Sequence, residues 1–424
     1  MNKYFAICSP SLGFLDNLLP ILYDLKVRDS DCNITLIIPR AFDTDQLRKN
    51  NQFLEVSSDI FDRVLFRKHS GKWESESSLK SLSKRKKSSV LTHYLYGLYR
   101  KIKRISLFSN FLSTSEFDAA SNLKKIVSVD DDTFLFYDIR FENRVGIKEF
   151  IDIFNNNLKI SINHGTGIFL DNAKSKKNSL KDRKDVLVLA VSKKEVKPYI
   201  NSFNISQKNI FLSGIPRHDL EWIKKMKNSS MFSNPFMNRK YVLIVSRRLK
   251  GNFKDKIRVL KQIRDYLILE KGIPILIKLH PTERSFALDY KLVFGVNNYG
   301  KNWKIVDSHA FHISQNCKFV ISFYSGLCLD MLIDDIPTIE YMPIRNEIKN
   351  PASTNVFRYY GLVCVAYDLI DFKQTIDKIL DDKFLSEKYL NNYKKLYFYP
   401  VGNELVSNRI LLASSKYKKE NKKN

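Results

Sequence analysis

Short apolar runs broken by polar turns, with helical repeats between them, set the rhythm of this chain. Residues 3–8 hold Tyr4-Phe5-Ala6-Ile7-Cys8 and predict a first strand, with Ser9 to Gly13 as its turn. Leu15, Leu18, Leu19, Leu22 and Leu25 then recur on one face of a helix predicted over 15–26. Asn33 to Pro39 predicts the second strand, so the chain opens as a βαβ unit of a doubly wound sheet. The turn carries a single glycine, Gly13, and is no dinucleotide fingerprint. Further strands are predicted over 133–137, 159–162, 185–191 and 209–212. A polar, proline-containing stretch, 228–240, reads as a linker. Beyond it strands are predicted over 241–245, 273–279, 319–322 and 337–341, with a helix over 327–333. Unalternating apolar runs of this kind belong to parallel strands covered on both faces. The expected architecture is therefore α/β, with two doubly wound domains, 1–227 and 241–395, facing across a cleft that holds the ligand. A helix over 396–415 is expected to cross back to the first domain after the Pro400-Val401-Gly402 break, and the basic tail 416–424 is expected to be disordered.

At 424 residues, 44% hydrophobic and 12% aromatic, the chain has room for two full cores. Its net charge of +26 asks for a polyanionic neighbour: nucleic acid, an anionic membrane face or a phosphorylated substrate. Between Lys68 and Arg104 eleven lysines and arginines stand against two glutamates, with Lys84-Arg85-Lys86-Lys87 as a block. Leu91, Leu95, Leu98, Ile102 and Ile105 recur there at helical spacing, with Tyr94, Tyr96 and Tyr99 interleaved. A basic amphipathic segment over 79–108 suits an anionic bilayer. A surface helix packed on the first domain needs the same stripe, so both readings stand. No nucleic-acid recognition motif is present, and no nucleic-acid partner is expected. The five cysteines lack CxxC spacing and fit reduced thiols of a cytosolic protein. No apolar run approaches the ~18 residues of a spanning helix, and the first run is too short for a signal peptide. The expectation is a cytoplasmic protein, peripheral at most on the inner face of the plasma membrane.

Candidate chemistry gathers at predicted strand ends. Lys278 and His280 alternate along one strand and so share a face, with Pro281 ending the ladder. A cation and an imidazole donor are what a diphosphate needs. Ser325 and Gly326 open the helix after the 319–322 strand, where a small polar turn suits a phosphate or a plain helix cap. Glu340 lies in the next strand, 337–341, and Asp330 lies five residues beyond Ser325. Arg247 and Arg248 end the strand at 241–245 and offer charge to the same anion. His164 follows the 159–162 strand inside Asn163-His164-Gly165-Thr166-Gly167 and fits a general base. Arg217 and Asp219 are expected to pair with each other across a loop. His69, His93, His309 and His312 stand in no comparable context. No carboxylates sit at metal-ligand spacing around these positions, so no metal and no cofactor is assigned.

The ordered set His164-Gly165-Thr166, Gly214-Ile215-Pro216-Arg217-His218-Asp219, Ser246-Arg247, Lys278-Leu279-His280-Pro281, and Tyr324-Ser325 with Asp330 and Pro337 resembles the CDP-glycerol glycerophosphotransferase family. More broadly it is similar to GT-B transferases of bacterial surface polysaccharides, including those that use CMP-activated acidic sugars. The motifs span roughly 160–345. Gly167-Ile168-Phe169 stands where the family has Pro-Leu-Lys, and Phe323-Tyr324-Ser325-Gly326 where it has Asp-Tyr-Ser-Ser. These departures leave room for a sugar as well as a polyol phosphate. The resemblance implies a GT-B fold of two Rossmann-like domains and an inverting, metal-independent transferase. It implies a CMP- or CDP-linked donor in the carboxyl-terminal domain and a glycan or lipid-linked acceptor, at the membrane, held by the amino-terminal one. His164 would deprotonate the acceptor hydroxyl, while His280 and Ser325 would hold the donor phosphates. The competing readings are a nucleotide-sugar epimerase or hydrolase on the same fold, and a non-catalytic protein that binds membrane or polyanion.

Overall fold

The computed structural model describes residues 2–8, 12–39, 57, 59–68, 72–79, 81, 122–123, 125–130, 132–144, 146–163, 183, 185–229, 233–237, 239–246, 256–279, 288–323, 325–341, 356–381, 386–398 and 405–422. It divides into two compact units. Unit 1 comprises Met1–Gly165, Ser175–Asp219 and Pro400–Asn424; unit 2 comprises Thr166–Lys174 and Leu220–Tyr399.

Unit 1 is built on one sheet of β1 (Lys3–Ile7), β2 (Asn33–Ile38), β3 (Arg63–Arg67), β4 (Trp73–Glu76), β5 (Thr133–Tyr137), β6 (Leu158–Ile162), β7 (Val186–Ala190) and β8 (Ile210–Leu212). Their order is β4-β3-β2-β1-β5-β6-β7-β8, parallel throughout except β4, which returns antiparallel to β3. The sheet winds outward from β1 in both directions, so β1 and β5 flank a switch point. Helix Leu12–Arg28 buries Phe14 and Ile21 as well as the predicted leucine stripe, because it is covered on a second side by helix Val406–Lys422. A lysine closes another helix end here. The Lys159 ammonium, almost fully buried, donates to the carbonyls of Phe154 (2.8 Å), Asn155 (3.1 Å) and Asn157 (3.2 Å), just past helix Ile147–Ile153. Burial pulls its pKa down, against the opposing pull of Asp185.

Unit 2 holds β9 (Tyr241–Val245), β10 (Ile275–Lys278), β11 (Trp303–Val306), β12 (Cys317–Ser322), β13 (Thr338–Tyr341) and β14 (Cys364–Ala366). All are parallel, in the order β11-β10-β9-β12-β13-β14, with the switch point between β9 and β12. One face packs Val242, Ile244, Ile277, Ile321 and Ile339 against Val259, Ile263, Phe372 and Ile376 from helices. The other packs Leu243, Val245, Leu276 and Val320 against Ala310, Ile313 and Met331. Helices on both faces make each strand apolar on both sides. Each unit is thus a Rossmann-like doubly wound sheet.

Three expectations are corrected. The division falls after Asp219, ahead of the polar 228–240 stretch: helix Leu220–Asn228 packs against helix Ala310–Ser314 of unit 2, and Phe236 joins the unit 2 core. The tail is not disordered up to Lys422. Its helix spans Val406–Lys422, Tyr417 is buried with its hydroxyl donating to the Val186 carbonyl (3.4 Å), and Lys418 binds Asp132 (2.7 Å) over the Phe134 ring. Arg217 and Asp219 do not pair. Arg217 donates to Asp16 (2.6 Å). Asp219 accepts from the Val406 N–H (2.5 Å), the Ser407 N–H (3.0 Å) and the Ser407 hydroxyl (2.8 Å). A buried carboxylate thus caps the last helix where its N–H groups have no intrahelical partner.

The basic segment 79–108 lies almost wholly outside the described residues; of its side chains, Leu79 is buried. Among the described residues no helix is long and apolar enough to cross a membrane. The five cysteines are free thiols, and Cys8, Cys32 and Cys328 are buried. Asp219→Ala is expected to lower the unfolding free energy by about 1–3 kcal/mol in urea titration. Asp219→Ser, which keeps a capping oxygen, is expected to recover part of it.

Candidate functional site

One ladder row near the carboxyl edge of the unit 2 sheet brings polar groups together. Lys278 pairs with Val245, Val245 with Ser322, and Ser322 with Glu340, at the carboxyl ends of β10, β9, β12 and β13. Leu276, Val245 and Val320 mark the face that packs on helices Ala310–Ser314 and Leu327–Ile333. Alternation puts Lys278, Ser322 and Glu340 on that same face. Strands ~4.8 Å apart place the lysine and the carboxyl three strands from each other.

Past Ser322 the chain turns into helix Leu327–Ile333. The Ser322 hydroxyl accepts the Ser325 N–H (3.1 Å), and the Ser325 hydroxyl accepts the Leu327 N–H (3.4 Å). Ser325 therefore stands one residue ahead of the Gly326 cap and accepts the first helical N–H, and Ser322, absent from the residues predicted for the site, fixes the turn that carries it. Gly326 sits at φ −61°, open to any residue, so the glycine is not required by backbone conformation. Lys278 donates to the Ser308 carbonyl. Beside it, His309 caps helix Ala310–Ser314 by accepting the Phe311 N–H (3.3 Å), and its ring lies 6.0 Å from that of His312. His312 is buried against the Ser229 hydroxyl, with Nδ1 unpartnered among the described residues. Burial, then the charges of His309 and Lys278, pushes its pKa down to about 4. Their i, i+3 spacing at a helix start was the only signal for these two histidines.

On the other side of Ser322, Glu340 is fully buried. Its Oε2 accepts from Arg358 Nε (3.3 Å) and its Oε1 has no hydrogen-bond partner among the described residues. Burial pushes its carboxyl up to about 7, against the lowering effect of Arg358. Asp330, also buried, lies close enough that Glu340 and Asp330 both reinforce the burial that raises the Cys328 thiol. The row thus offers a cation at one end, hydroxyls at the turn and buried carboxyls beneath it. Among the described residues no group of three His, Cys, Asp or Glu is arranged to hold a metal ion.

In unit 1 a second polar cluster sits at the carboxyl ends of β5, β6 and β7. Asp138 grips Arg140 through two parallel bonds, Nε to Oδ1 (2.9 Å) and Nη2 to Oδ2 (2.6 Å). Arg140 also donates to the Asn163 side-chain carbonyl. The Asn163 amide donates to Glu195 Oε1 (2.7 Å), while Glu195 Oε2 accepts the Val191 N–H (2.9 Å). The Asn17 side chain donates to the Asn163 main-chain carbonyl (3.0 Å). Burial depresses the Arg140 guanidinium, but Asp138 outweighs it and holds the pKa above its ordinary value. None of these five was singled out from the sequence. The available signal was a polar residue directly after each apolar strand.

Of the predicted site, Lys278, Ser325, Gly326, Asp330 and Glu340 fall together in unit 2, whereas Arg217 and Asp219 serve the packing of unit 1. His164, Gly165, Thr166, Arg247, Arg248 and His280 lie outside the described residues.

No protein-family model matches the sequence, and no curated protein matches it. Solved structures do. A Listeria monocytogenes protein described as a UDP-N-acetylglucosamine 2-epimerase aligns over 99% of this chain and 97% of its own, at TM-score 0.60 and 9% identity. The Neisseria meningitidis UDP-GlcNAc 2-epimerase, bound to UDP-GlcNAc, aligns over 98% and 100%, at 0.53 and 11%. The wall teichoic acid polymerase TagF aligns over 100% and 90%, at 0.55 and 11%. What is shared at these identities is the fold, and two Rossmann-like units in one chain make it GT-B.

The buried neutral His312 sets a pH dependence. Its folded pKa lies below the unfolded value of ~6.5, so its contribution to stability is full above that value and is lost as pH falls toward about 4. Urea midpoints taken at about pH 7 and about pH 4 are expected to separate less in His312→Gln than in the unaltered protein.

Proposed function

We propose that this protein is a transferase of bacterial surface-polysaccharide synthesis, moving a sugar or polyol phosphate from a CMP- or CDP-activated donor to an acceptor hydroxyl. The observation that carries the reading is the row near the carboxyl edge of unit 2: Lys278 and the Ser322–Ser325 turn stand at the carboxyl ends of strands around a switch point, where doubly wound sheets bind ligands. Lys278 would neutralise the leaving phosphate, with Arg247 and His280 adding charge. The Ser325 oxygen accepts from the helix, which leaves its own proton to donate to a phosphate oxygen. Asp330 and Glu340 would take hydroxyl donors of the nucleotide rather than its phosphates.

His164 would take the acceptor's proton as the new bond forms. The acceptor oxygen attacks the donor carbon or phosphorus, the bond to the nucleotide phosphate breaks, and CMP or CDP leaves with the electron pair. Rate would come from positioning and from charge neutralisation at the leaving group. The net charge of +26 fits a protein whose donor, product and acceptor membrane are all anionic.

A second reading, an epimerase or hydrolase, is favoured by the epimerases among the structural neighbours. Donor incubated alone separates the two, since conversion without acceptor belongs to the second. In a thermal-shift panel of CMP, CDP, UDP, GDP and ADP, the cytidine nucleotides are expected to stabilise most. A ligand at 100 times its Kd adds about 2.7 kcal/mol. Lys278→Ala is expected to raise the Kd for CDP about 10-fold or more, the worth of one charge-assisted hydrogen bond. His164→Ala is expected to abolish transfer while leaving that Kd within a few-fold; normal turnover in this variant would remove the base.

A further inference from the structure

We propose that one face of unit 2, formed by helix Leu288–Phe294, the turn after it and the neighbouring helix Lys256–Arg264, is a docking surface for an anionic lipid bilayer. This face is separate in sequence from the basic 79–108 segment. Its binding is read without turnover, so it stands independently of the transfer reaction proposed above.

At about 100° per residue, Tyr290, Val293 and Phe294 fall on one side of helix Leu288–Phe294, and Leu288, Lys291 and Leu292 on the other. The first three are buried in the unit 2 core. Leu288 is 72% and Leu292 74% exposed. Gly295, at φ 77°, turns the chain, and Val296 just beyond it is 66% exposed. The Tyr299 ring follows, 44% exposed and held edge-on at 4.9 Å against the buried Trp303 ring. A lone exposed leucine is ordinary on a protein surface. Three largely exposed apolar side chains between 288 and 296, with a tyrosine close behind, make a patch.

The charge around the patch has one sign. Lys291 and Lys301 are exposed, and among the described residues neither makes an ion pair. Asp289, the one acidic residue of 288–301, faces Lys256 (3.8 Å). Lys256 opens helix Lys256–Arg264, which packs alongside and carries four basic residues and no acidic one. Arg258 and Lys261 are exposed on it. The next carboxylate along, Asp265, is held by Arg264 (2.7 Å). Over 256–264 and 288–301 six basic residues stand against one acidic residue, where the whole chain has 71 against 45. This face is therefore far more one-sided than the chain it belongs to.

Apolar side chains rimmed by lysines match an anionic bilayer part by part. Leucine and valine enter the acyl boundary, and tyrosine sits at headgroup level. Lysine stems lie along the apolar surface while their ammonium groups reach the lipid phosphates. A second copy fits less well, because a two-fold contact through this face sets lysines against lysines. Nucleic acid would use the lysines and leave the leucines in water.

The test uses the full chain and vesicles of phosphatidylcholine, alone or with about one-third phosphatidylglycerol. Co-sedimentation is expected with the anionic vesicles only, and is expected to weaken as salt rises. L288Q/L292Q and K291E/K301E are each expected to raise the vesicle Kd about 10-fold or more. All four side chains are exposed, so Tm is expected to change little. K197E/K208E makes the same change of net charge at exposed positions of unit 1 and is expected to leave the Kd within about 3-fold. A readout without substitutions is amide exchange in the unaltered protein, which is expected to slow over 288–301 on anionic vesicles.

Failure to bind anionic vesicles, or exchange over 288–301 that they leave unchanged, would overturn the proposal. So would an unaltered Kd in L288Q/L292Q, or a loss in K197E/K208E as large as in K291E/K301E. A dimer in sedimentation that L288Q/L292Q converts to monomer would overturn it as well, since a second copy would then cover the face.

Discussion

A parallel sheet covered on both faces has nowhere to put polarity except at its ends. Within β1, β5, β7 and β9 nearly every side chain is apolar and buried, and the ladder satisfies the backbone. At the carboxyl end the ladder stops, and each strand must find new partners for its last carbonyls and for the turn that follows. This chain solves that constraint with side chains. Ser161 accepts the Ile139 N–H (3.1 Å), Ser192 the Lys194 N–H (3.2 Å), Ser322 the Ser325 N–H and Glu195 the Val191 N–H. The groups that finish the fold therefore stand at the strand ends where doubly wound sheets bind ligands.

The two units meet the constraint differently. At the ends of β5, β6 and β7 the polar side chains are committed to each other: Asp138 to Arg140, Arg140 to Asn163, Asn163 to Glu195. Such a cluster spends these hydrogen bonds within itself. At the ends of β10, β12 and β13 the commitments are looser. Lys278 donates to the Ser308 carbonyl. The Ser325 hydroxyl gives the helix its oxygen, and Glu340 keeps one buried oxygen without a hydrogen bond among the described residues. Burial pushes that carboxyl up to about 7 even though Arg358 stands against its other oxygen.

Much of this was legible in the sequence because parallel strands read as unbroken apolar runs. β1, β2, β5, β6, β7, β9, β12 and β13 were expected within a residue or two of where they stand. The strands that were missed lie at or beside a sheet edge, where the pattern fades. β14 is three residues long, and β11 carries Lys304 among its apolar residues. β3 begins and ends in arginine, and β4, Trp-Glu-Ser-Glu, opens a segment whose charge drew the eye to bilayers instead. In the site, Lys278, Ser325 and Glu340 were readable because strand alternation and strand ends are local properties. Arg140 and Glu195 were not: their meaning depends on Asn163, 23 residues from one and 32 from the other, and on a sheet order that periodicity does not encode. Asp219 was misassigned for the same reason, since its partners lie 187 and 188 residues away.

The cap at Asp219 also bears on how unit 1 is assembled. Its sheet is finished by β8, yet the first helix is covered on its second side by residues from the far end of the chain. Helix Leu12–Arg28 carries Asn17, which holds the Asn163 carbonyl, and Asp16, which holds Arg217 two residues before Asp219. The same short stretch, 217–219, therefore grips both the first helix and the last. Packing the last helix against the first fixes the platform from which Asn17 reaches the end of β6. A carboxylate buried for the sake of a helix N-terminus is a costly cap by itself. Here the capped helix covers the first helix, which Asp16 also ties to Arg217 in the same short stretch.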